Sequence, residues 1–166
     1  MFAQNVDLIF WEEGKKLTWQ DFTEGTPTRE AVAQAALSIH YTVCKRSIWN
    51  GKVALRVDCI FQKSYTLVSS SGMRPLVLRH EQPHFDIAEV FARKLRKAFF
   101  DSKLHVGNVD EEAKGLLDKV MLEYTNHQQM FDTKIWYGAE EETQLKWERR
   151  IAEELKLPEN YKDNNC

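Results

Sequence analysis

The hydrophobic period of this chain changes once, between residues 72 and 80, and that change limits the folds open to it. Before it, Leu37, Ile39, Tyr41 and Val43 alternate with polar residues, as do Val53, Leu55, Val57, Cys59 and Phe61. A two-residue period belongs to a strand with one buried face. After it, Ile87, Ala88, Phe91, Leu95 and Phe99 recur at three- and four-residue steps, the period of a helix with a buried stripe. Strands first and helices after predict an α+β domain.

Within the strand half, Trp49-Asn50-Gly51 suits a three-residue turn with glycine in the left-handed region. That turn sets Val43 opposite Val57 and puts both apolar rows on one face. Cys44 then points away from Cys59, so the two are expected as separate thiols, with Cys166 in a polar tail. A shorter strand near residues 65–69 extends the pair to an antiparallel meander over residues 34–70, closed by Ser69-Ser70-Ser71-Gly72. Residues 6–11 read as a short strand. The rest of residues 1–33 reads as a wrapping segment that docks Trp19 and Phe22 on the core.

The helical half is expected over residues 80–156. A second helix starts near Asp110, with Ala113, Leu116, Leu117, Val120, Met121 and Tyr124 inside. A third follows Gly138 and is opened by Glu140-Glu141-Glu142, where a helix N-terminus favours negative charge. Its inner face holds Trp147, Ile151 and Leu155, and Pro158 lies beyond its end. With a polar tail over residues 157–166, the 166 residues make a single domain.

Composition removes several classes. A chain 43% hydrophobic and 29% charged is not a disordered one. No apolar run approaches the ~18 residues that cross a bilayer, so no transmembrane segment is expected. With 23 basic against 25 acidic residues the chain lacks the basic excess of a nucleic-acid binder. Met1-Phe2-Ala3-Gln4 has no charged or long apolar region, yet Phe-Ala-Gln resembles the tail of an export signal. The expectation is a periplasmic or extracellular protein whose leader has been replaced by Met1; an ordinary cytoplasmic N-terminus is the alternative.

The chemistry sits in His80-Glu81-Gln82-Pro83-His84, an H-E-x-x-H pattern. Residues four apart share a helix face, so both imidazoles can reach one zinc ion with Glu81 beside it as general base. Catalytic zinc needs three protein ligands and leaves a fourth position for water. Pro83 lacks an N–H and clashes with the carbonyl four residues back, so the helix is expected to begin near His80 or Glu81, or to kink there. The cations Arg93, Lys94, Arg96 and Lys97 read as a solvated helix face, and His40 and His105 as solvent-facing.

The stretch from His80 to Ile87, with Leu17-Thr18-Trp19-Gln20-Asp21-Phe22 upstream and the Gly138, Gln144 and Trp147 spacing downstream, resembles a family of bacterial exported proteins predicted to be zinc-dependent proteases, domain of unknown function 922. The resemblance covers about residues 7–155. It implies a zincin-like peptidase acting on a peptide or protein substrate, with His80 and His84 as zinc ligands. The family carries His just before the glycine, and this chain has Tyr137. Tyr137 is therefore the first candidate for third ligand or oxyanion donor, followed by Asp132 or Glu141, then His127. The substitution equally fits a weakened or inactive zincin-like binding module. A chance motif in a cytosolic interaction domain is the third reading.

Overall fold

The computed structural model describes residues 7–27, 31–135, 141–156 and Tyr161. Two ten-residue strands, β4 (Leu37–Arg46) and β5 (Val53–Gln62), form the hairpin that the alternation requires. The short β1 (Leu8–Phe10) pairs antiparallel with the free side of β5, giving the order β1-β5-β4. Gly51 sits at φ 70°, where glycine alone is unstrained.

The register differs from the expected one by two residues: Val43 faces Leu55, and Tyr41 faces Val57. Two single-residue changes add up to this. The Ser47 N–H bonds the Lys52 carbonyl at 2.8 Å and Arg46 pairs Val53, so the loop is one residue longer than a Trp49-Asn50-Gly51 turn. A bulge between Val43 and Lys45 then takes in Cys44. An even slip keeps every side chain on its face, so Ile39, Tyr41, Val57 and Cys59 still share one. Cys59 is a buried free thiol, and burial raises its pKa well above the usual value. Cys44 and Cys59 do not pair with each other, as their opposed faces require.

The meander does not continue into the third strand. The strand β6 (Leu67–Val68) lies in the middle of a second small sheet, parallel to β2 (Thr23–Glu24) and antiparallel to β3 (Ala33–Gln34). The wrapping segment thus contributes strands as well as docked aromatics; Phe22 stacks edge-on against Phe61 at 5.5 Å.

Three helices follow: α1 (Pro75–Asp101), α2 (Val109–Lys134) and α3 (Glu141–Lys156). The start of α1 lies five residues before His80, with Pro75 in the first turn, so Pro83 is inside the helix. Packing outweighs the ~3 kcal/mol penalty of an internal proline: Val77 is fully buried, and His80 and Glu81 are nearly so. From Phe85 to Leu95, α1 is buried on most sides, the mark of a central helix. Residues of β4, β5, β6 and all three helices share one core cluster around it.

That position corrects the reading of its cations. Arg93 is 3% exposed. It bonds Glu89 at 2.9 Å and the Leu155 carbonyl at 2.7 Å, while Arg96 bonds Glu89 at 2.8 Å and the Val57 carbonyl. Lys94 and Lys97 alone of the four face solvent, as do His40 and His105. No described helix is long and apolar enough to cross a membrane. Among the described residues the architecture is α+β, with three α-helices and two small sheets.

Candidate metal centre

Because α1 starts early, His80 and His84 lie one turn apart on a formed stretch of helix and share a face. Their Nε2 atoms are 3.1 Å apart. Opposite them, α2 brings Asp132, whose Oδ1 lies 2.9 Å from His84 Nε2 and 3.3 Å from His80 Nε2. Phe131 sets this approach. Its fully buried ring meets the His80 ring at 5.1 Å and the His84 ring at 4.9 Å, locking α2 against α1 one residue before the carboxylate.

The three atoms form a triangle with sides of 2.9, 3.1 and 3.3 Å. Tetrahedral donors at ~2.0–2.1 Å from zinc stand about 3.3 Å from one another. The donor set thus fits a zinc ion in both chemistry and spacing: two imidazole nitrogens, one carboxylate oxygen and room for a fourth partner. Among the described residues, His80, His84 and Asp132 are the one group of three such side chains able to hold a metal.

Gln128, one turn before Asp132, fixes the state of His84. Its amide nitrogen donates to the His84 carbonyl at 3.0 Å and to the Tyr124 hydroxyl at 2.9 Å, which leaves Oε1 facing His84 Nδ1 at 2.6 Å. Nδ1 therefore carries a proton and donates, which leaves Nε2, hydrogen-bonded to Asp132 in the metal-free protein, as the nitrogen that a metal would take once its proton is lost. Burial pushes the Tyr124 hydroxyl up to about 12, against the opposing Gln128 bond, so it stays protonated.

The charges are coupled. Burial works against a charged His84, but the Asp132 bond and the nearby Glu81 carboxylate outweigh it, and the His84 pKa lies above its usual 6.5. Burial opposes ionisation of Asp132 as well, yet its bonds to His80 and His84 hold it well below the ordinary carboxylate range. The raised His84 value adds stability below pH 6.5 that is lost as pH rises through it; the lowered Asp132 value adds stability above pH 3.8 that is lost as pH falls. Chelated protein is therefore expected to lose stability in denaturant titrations from pH 6 upward, while zinc affinity climbs over the same range as the competing proton leaves. His84→Ala is expected to flatten the stability trend; a stability slope that survives it refutes this assignment.

Glu81 is 2% exposed, and its Oε2 accepts the Ala35 N–H at 3.2 Å. It lines the same cleft of about 720 Å³ as His80, His84 and Asp132, walled by Tyr124 and Gln128 and rimmed by residues 33–35. The remaining third-ligand candidates go elsewhere. Glu141 is held by Arg79 at 2.8 Å, part of a clamp in which Arg79 also binds Glu148 at 2.7 Å and ties α1 to α3. His127 is buried against Phe91 and Trp147, 3.5 Å from Glu154. Burial lowers its pKa. Tyr137 and Gly138 lie outside the described residues. Gln144 and Trp147 are buried on α3, Gln144 donating to Glu148 at 3.0 Å, so their role in this fold is packing.

Sequence reading did not find Gln128. Its signal is the spacing Tyr124, Gln128, Asp132, three residues one turn apart on α2. The chain matches no family model, no curated protein and no solved structure.

Proposed function

We propose that this protein is a zinc-dependent metallopeptidase of the H-E-x-x-H kind, with His80, His84 and Asp132 as ligands and Glu81 as general base. The observation that carries the reading is the meeting of three donor atoms within 4.8 Å of one another, in a cleft that Glu81 also lines. Bound zinc supplies a Lewis acid and a water of lowered pKa. The Glu81 carboxylate takes the proton of the attacking water and returns it to the leaving amine. Gln128 keeps the His84 lone pair aimed at the cluster, and the protonated Tyr124 hydroxyl lines the cleft as a hydrogen-bond donor.

The same reading includes a zincin-like fold, membership of the exported family named above and a peptide or protein substrate. It also includes export to the periplasm or outside the cell, with a cytoplasmic location as the alternative.

The test is elemental analysis of untagged protein together with cleavage of a broad peptide library. One equivalent of zinc and chelator-sensitive cleavage are expected. Tight zinc with no cleavage would favour the binding module, and no zinc after reconstitution would overturn the site.

A further inference from the structure

The tip of the β4–β5 hairpin carries Ile48 and Trp49, which are 79% and 94% exposed. Neither belongs to the core cluster or to the residues packed on it. A turn needs glycine, asparagine or a small polar residue for its geometry, and here Asn50 and Gly51 supply that; the Asn50 side chain accepts the Lys52 N–H at 3.0 Å. The fold therefore has no use for the apolar pair. Isolated exposed apolar residues are ordinary, but these two are adjacent, at the extremity of a hairpin, and set in a particular charge field.

From residue 31 to residue 57 the chain has no Asp or Glu, while Lys45, Arg46 and Lys52 flank the tip and are all exposed; Arg56, farther along β5, is paired with Asp58 at 2.9 Å. The loop after α1 adds Lys103, also exposed, and is fastened to the tip by the Val106 N–H to the Gly51 carbonyl at 3.0 Å. The nearest acids are engaged: Asp110 pairs with Arg46, and Asp101 with Lys97. Glu111 and Glu112 follow Asp110 in the first turn of α2.

We propose that this tip seats on an anionic lipid surface. Trp49 and Ile48 enter the headgroup boundary, where an indole buries its rings and keeps its N–H wet, and the flanking lysines lie against lipid phosphates with their stems along the apolar boundary. Charge complementarity selects a bilayer of anionic lipid over a second copy of this chain, whose net charge is only −2. The ten residues of β4 separate the tip from the cleft rim by about 30 Å, so contact there leaves the candidate metal centre clear. The inference does not depend on the metal reading.

Vesicle flotation of the full chain tests it. Phosphatidylglycerol-containing vesicles are expected to carry the protein at least about tenfold more strongly than phosphatidylcholine vesicles, with binding that falls as salt rises. Ile48→Ser/Trp49→Ser is expected to lower binding at least about tenfold. Lys45→Gln/Lys52→Gln is expected to weaken it and flatten the salt dependence. A blue shift of emission on adding vesicles, absent in Trp49→Phe, gives a second readout in minimally changed protein. Lack of binding by the wild type, equal binding by the Ile48→Ser/Trp49→Ser variant, or a concentration-dependent dimer abolished by that variant would each overturn the proposal, the last assigning the tip to a second copy.

Discussion

Glu81→Gln is expected to keep a full equivalent of zinc and to lose peptide hydrolysis by about 10²–10⁴-fold, the usual contribution of a positioned general base. The substitution is nearly isosteric at a residue 2% exposed. Its amide oxygen can still accept the Ala35 N–H, so the α1 contact to residues 33–35 survives and the melting temperature should scarcely move. What the variant lacks is a group that can hold a proton between two steps. Titration with a fluorescent zinc chelator and turnover of one cleaved peptide separate the two properties. Full activity in the variant would remove Glu81 from the chemistry, while loss of zinc would make it a ligand or a folding residue.

The second large effect concerns the third ligand. Asp132→Ala is expected to weaken zinc by more than the about 10–100-fold that loss of a supporting partner costs, because it removes a donor instead of a residue that orients one. The carboxylate is more than half exposed, at 57%, so little packing is lost and the effect should appear in metal affinity before stability. Tyr137→Phe is expected to leave affinity unchanged. The opposite pattern, with Tyr137→Phe releasing zinc and Asp132→Ala holding it, would return the third position to the tyrosine. Competition titration on the two variants decides between them.

Much of this arrangement was legible in local pattern. The strand alternation located β4 and β5 to within three residues at each end, and the three- and four-residue steps identified the inner faces of α2 and α3. His80, Glu81 and His84 were readable as a unit because one turn of helix brings them together. The hairpin register was not readable, since a longer loop and a bulge at Cys44 each shift it by one residue and neither leaves a mark in the hydrophobic pattern. Proline chemistry led to a late start for α1, whereas the burial of Val77 and His80 sets the true one. Arg93 read as surface because charge predicts solvent, and nothing local announces a buried Glu89 one turn earlier or the Leu155 carbonyl that receives it.

Local sequence alone determined the class of elements and the first two donors, because both follow from periodicity within a single segment. The third donor was decided by tertiary structure. Asp132 stands 48 positions after His84, and no spacing rule links positions on separate helices. The packing of Phe131 against both imidazoles carries the carboxylate to them, while Arg79 draws Glu141 aside and the aromatic wall of Phe91 and Trp147 holds His127 away.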